Sequence, residues 1–123
     1  MRKLALIAAL LLVAAPASAD LMQRYEAADE AVMTRFNALI GQKGGTWSEA
    51  DRRGRTCLMA ELQKRHGARA VSGAIRDLER VAAKAGAARD ASGLAVEKTM
   101  VLARNGIPVA KWAPVAQACK TSF

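Results

Sequence analysis

Aromatic residues are scarce: two Trp, one Tyr and two Phe in 123 residues. Proteins that hold single-stranded nucleic acid stack bases on exposed rings. With Trp47 and Phe36 placed on apolar faces below, few rings remain for stacking, so nucleic acid is not expected as a partner. Histidine occurs once, as His66, which leaves no multi-histidine metal site. The longest apolar run, Leu4–Ala15, is far shorter than the roughly 20 residues a membrane-spanning helix needs. There is no sustained apolar/polar alternation of β-branched and aromatic residues to suggest strands. A glycine-rich phosphate loop, a paired metal-ligand motif and a Ser/His/Asp signature are all missing as well.

The N-terminus is informative. Arg2 and Lys3 precede the apolar run, which Pro16 and Ala17-Ser18-Ala19 follow. A positive start, a short apolar segment and an Ala-x-Ala site together predict a cleaved signal peptide over residues 1–19, with Asp20 as the first mature residue. The expectation is therefore a periplasmic or secreted bacterial protein with one helical domain over 20–123 and no transmembrane segment after cleavage. Cleavage would leave 17 basic and 11 acidic residues, a formal charge of +6.

An exported chain with an even cysteine count implies a disulfide, and Cys57 and Cys119 allow one intramolecular pairing. Closing a loop of that length stabilises by about 4 kcal/mol in the chain-entropy model.

Apolar periodicity supplies the helices. Leu21, Tyr25, Ala28, Val32, Phe36 and Leu39 recur at three- and four-residue steps, predicting a helix over 20–42 that ends at Gly41, Gly44 and Gly45. Thr46-Trp47-Ser48-Glu49 fits a capping box for a second helix running to His66, with Lys64, Arg65 and His66 at its negative end. On that helix Trp47, Gly54, Leu58 and Leu62 share one side, with Cys57 and Glu61 at the margin. A glycine on an apolar side predicts close approach by another helix.

Val71, Ala74, Ile75, Leu78, Val81, Ala82 and Ala85 form the face of a third helix. Ser92 suits the cap of a fourth over 93–104, and Asn105-Gly106 ends it. A short terminal helix over 109–120 would carry Pro114, best accommodated in a first turn, and Cys119. The expected fold is all-α: a small antiparallel bundle of four main helices plus a short C-terminal helix, with one disulfide.

Candidates for chemistry are few. Cys57 and His66, nine residues apart on one helix, face opposite ways about 13 Å apart along the axis, so they form no nucleophile–base pair. Glu61 lies one turn from Cys57 and would raise the thiol's pKa instead of activating it. An arginine partner is the expected role for Glu61. An exported hydrolase using Glu61 as acid in a Trp47-lined cleft is the rival from another class, and a structural or assembly subunit is a third. Met22, Met33, Met59 and Met100 could in principle pair with a histidine as haem ligands in a bundle. Against this, Cys-x-x-Cys-His is absent and His66 sits at a helix end. No cofactor is expected, and no catalytic set is evident.

Charge is unevenly placed. Between Arg52 and Arg89 there are ten bases and three acids. Arg52, Arg53 and Lys64 fall on the solvent side of the second helix, and Arg76, Arg80 and Lys84 on that of the third. These six are the candidate surface of a binding or interaction protein, and the partner they suit is an acidic protein or an anionic envelope component.

Overall fold

The computed structural model describes residues 15–123. Most of the expected signal peptide, residues 1–14, lies outside the described residues. The elements are α1 (Ala15–Leu39), α2 (Glu49–His66), α3 (Ala68–Lys84), α4 (Ala91–Arg104) and α5 (Val109–Ala118), with a single 3-10 turn at Ala85–Ala87. No strand occurs among the described residues.

The third helix is the hub: α3 packs against α1, α2 and α4, while α5 packs against α2 and α4. Its sequence explains this role. Val71, Ala74, Ile75, Leu78 and Val81 are all buried on the face that periodicity marks, and Ala85 continues it into the 3-10 turn. Leu21, Tyr25, Ala28 and Val32 of α1 are buried against the same core, joined by Leu58, Met59 and Leu62 of α2 and by Leu94, Val101 and Leu102 of α4. Polar links fix the register at the edges. Arg24 of α1 meets Glu79 of α3 through two guanidinium nitrogens. Arg35 donates to the Ala88 carbonyl in the α3–α4 connection at 2.6 and 3.2 Å.

Several local expectations are corrected. The cap of α2 is Ser48, not Thr46: its hydroxyl accepts from the Asp51 N–H at 3.1 Å and the Asp51 carboxylate accepts from the Ser48 N–H at 2.8 Å. The same motif occurs twice in overlapping register, and the later copy wins because Trp47 is committed to α1 and so stays outside the helix. Its N–H donates to Glu30 at 2.9 Å and its indole N–H to Asp29 at 2.7 Å.

Likewise Asp90, not Ser92, caps α4, accepting from the Gly93 N–H at 2.9 Å. Pro114 lies inside α5, since Pro108 already occupies the N-cap. The carbonyl of Ala110 that loses its donor belongs to an exposed residue. The first helix begins at Ala15 and so runs through the expected cleavage point.

The close approach expected at Gly54 exists, but it comes from the tail after α5 and not from another helix. A Cβ on Gly54 would lie 2.7 Å from Thr121 Cβ and 3.4 Å from the Cys119 carbonyl oxygen. Cys57 and Cys119 are bonded, with Cα atoms 5.8 Å apart, which joins α2 to the end of α5.

Candidate functional site

Two groups of charged side chains stand out, one on the surface and one in the interior. On the surface, Arg76, Arg80 and Lys84 occupy successive turns of α3, opposite its buried face, and all three are exposed. Arg80 donates to Asp77 at 3.0 Å. Together with Arg104 and Glu97 of α4, Asp77, Arg80 and Lys84 line a groove of about 380 Å³ between α3 and α4.

The candidate residues on α2 are placed differently. Arg52 is engaged by Glu26 of α1 and by Glu49, the latter at 2.7 Å. Arg53 and Lys64 are exposed. Exposed cations thus extend across α3 toward α4, while Arg52 is turned toward α1.

Glu61 is half exposed and lies 3.7 Å from Arg65, one turn on, which is the arginine partnership its position suggested. The shallow groove that Trp47 lines is bounded by Met22, Gln23, Glu26, Arg52 and Thr56, and Glu61 does not line it. His66 closes α2 at its C-terminal end.

The interior group was not anticipated from the sequence. Asp29 is fully buried and Lys98 is 6% exposed, and they meet as an ion pair with Lys98 Nζ 2.7 Å from Asp29 Oδ1. The other Asp29 oxygen accepts from the Trp47 indole and lies 3.8 Å from the Arg55 guanidinium. Arg55 is itself sheltered: it stands over the Trp47 ring at 4.7 Å and reaches Asp51 at 3.9 Å and the Ser122 carbonyl at 3.3 Å. Burial depresses the Lys98 pKa, and the attraction of Asp29 opposes that shift without cancelling it.

Rings enclose this ionic cluster. Tyr25 contacts Trp47 edge-on at 4.8 Å and stacks on Phe123 at 5.3 Å, and Trp112 lies 6.2 Å from Phe123. Burial, reinforced by the Asp29 charge, raises the Tyr25 pKa well above its usual value, so the hydroxyl stays protonated. That hydroxyl lies near Arg55 but without hydrogen-bond geometry.

A signal for the cluster was present in the spacing. Asp29 follows Tyr25 by four residues and precedes Val32 by three, and Lys98 stands in the same relation to Leu94 and Val101. A charge inside an apolar stripe must find a partner there, because unpaired Asp and Lys are almost never fully buried.

Among the described residues no group of three His, Cys, Asp or Glu side chains converges as metal ligands, and no helix is long and apolar enough to cross a membrane. Compared with protein-family models, curated proteins and solved structures, the chain matches none.

Proposed function

We propose that the chain is an exported binding protein, periplasmic or secreted after loss of residues 1–19, whose α3 face docks an anionic partner. The partner is an acidic protein or an anionic component of the cell envelope. The observation that carries this reading is the row Arg76, Arg80 and Lys84, exposed at successive turns of α3 and continued across the groove by Arg104. A row of like charges attracts an oppositely charged surface from a distance and sets its orientation, with a strength that falls as salt screens it. The acids in the groove, Asp77 and Glu97, are outnumbered by Arg80, Lys84 and Arg104.

The test is a capture experiment from the exported fraction, comparing the natural protein with an Arg76→Glu/Arg80→Glu/Lys84→Glu variant. The expected result is a retained partner that is released by raised salt and absent from the variant, with helical circular dichroism unchanged. Partners held equally by both proteins, at all salt concentrations, would remove the α3 face from consideration.

A further inference from the structure

The segment after α5 is fastened at both of its ends. Its first residue, Cys119, is bonded to Cys57, and its last, Phe123, is buried. Between them Lys120 and Ser122 are exposed. Lys120 takes the left-handed conformation, φ 56°, that turns the chain back toward α2. The other ties are the Lys120 and Thr121 N–H bonds to the Gln117 and Ala116 carbonyls and the Arg55 bond to the Ser122 carbonyl.

The Phe123 ring fills a socket. Tyr25 forms one wall, stacked at 21° between ring planes, Trp112 forms another, and Lys98 Nζ stands 5.7 Å from the ring centre. Two groups in that socket would gain water if the ring left. The Trp112 indole N–H is buried with no hydrogen-bond partner, and the Lys98 ammonium is desolvated beside Asp29. Closure therefore has a standing cost, since buried polar groups without full partners are unfavourable. Without the tether, the closed state must also bear the entropy of ordering the tail.

We propose that Cys119–Phe123 is a disulfide-fastened latch over this aromatic, cation-lined socket, and that an exported dithiol reductant opens it. Cys57, the more exposed of the two cysteines, is the accessible point of attack. A thiolate of the reductant attacks the Cys57 sulfur, the Cys57–Cys119 bond breaks, and its electron pair leaves on the Cys119 sulfur. The reductant's second thiolate then attacks the mixed disulfide and releases Cys57. Cys57 and Cys119 take up two electrons and two protons and end as thiols, while the reductant ends as a disulfide. Opening uncovers Tyr25, Trp112, Lys98 and the Asp29 carboxylate. This device is independent of the α3 face.

Nuclear magnetic resonance on the full chain, oxidised and then reduced with dithiothreitol, tests the latch. On reduction the Phe123–Tyr25 ring contacts should vanish and residues 120–123 should move to random-coil shifts. Acrylamide quenching of tryptophan should rise roughly twofold as a local opening exposes the indole, with helical circular dichroism retained. The Cys57→Ala/Cys119→Ala variant should reproduce this state without reductant. Phe123→Ala should raise quenching while the disulfide stays intact. Persistence of the Phe123–Tyr25 contacts after reduction would overturn the proposal. So would a collapse of the helical signal on reduction, or unchanged quenching in Phe123→Ala.

Discussion

Replacing Asp29 by Asn removes one charge from the interior while leaving an oxygen to accept the Trp47 indole N–H, so it isolates the electrostatic part of the cluster. In the natural protein Asp29 lies 2.7 Å from Lys98 Nζ and 3.8 Å from Arg55, with Lys98 sealed from solvent. Removing one member of a buried ion pair strands the other, at a cost of about 3–5 kcal/mol. A domain of this size has a total stability of roughly 5–15 kcal/mol, so Asp29→Asn should lose a large share of it.

The double variant Asp29→Asn/Lys98→Met removes the stranded ammonium as well and should recover most of the loss. That gives a coupling of about 2 kcal/mol or more in a double-mutant cycle, as expected for directly interacting residues. Urea denaturation followed by circular dichroism measures all four corners. A loss below about 1 kcal/mol for Asp29→Asn, or simple additivity, would refute the reasoning.

The pH dependence gives the same test a sign. Lys98 is already depressed below 10.5 in the fold, chiefly by burial, and Asp29 is what holds it up. Without Asp29 the folded-state value falls further, and the unfolded chain binds more protons than the folded one between that value and 10.5. Stability therefore rises with pH across this window. The gap between Asp29→Asn and the natural protein should narrow as pH is raised toward 10.5. A gap that widens would contradict the assignment.

Other perturbations probe separate links. Gly54→Leu forces a side chain onto Thr121 and the Cys119 carbonyl, and overpacking of this kind costs about 1–3 kcal/mol; an unchanged Tm would show that the tail does not lie against α2. Ser48→Ala removes the hydroxyl that caps α2 and should cost about 1 kcal/mol in denaturant unfolding, whereas Thr46→Ala should cost less. The Arg24 hydrogen bond holds the Glu79 pKa below its usual value. The stability this contributes is present above 4.5 and is lost as pH falls through the folded-state value. Because both side chains are more than one third exposed, Glu79→Gln should lower stability by less than about 1 kcal/mol near neutral pH and flatten the acid limb slightly. A steeper acid limb in Glu79→Gln would reverse the sign.

Much of the fold was legible because helix periodicity and core burial coincide. The apolar positions of α3 from Val71 to Val81 and those of α1 from Leu21 to Val32 are buried as their spacing implies. The disulfide followed from the even cysteine count together with the expected export. Helix starts were harder, since Thr46 and Ser48, or Asp90 and Ser92, are chemically equivalent caps, and a tertiary contact of Trp47 chose between the first two.

The pairing within the ionic cluster was out of reach for a different reason. Asp29, Arg55 and Lys98 belong to three helices, and nothing in local spacing states which of them meet. The same holds for the tail, where Phe123 gains its place only through Tyr25 and Trp112. The candidate cations were visible as a charge excess. Their division, with Arg52 tied to α1 and Arg80 and Lys84 turned to the α4 groove, depends on how the helices pack.

The most direct measurement of the proposed function is the affinity of the captured partner across a salt series, for the natural protein and for Arg76→Glu/Arg80→Glu/Lys84→Glu. Docking through the α3 face requires affinity that weakens steadily with salt in the natural protein and is lost in the variant. Equal affinity in both proteins, flat across the series, would contradict it.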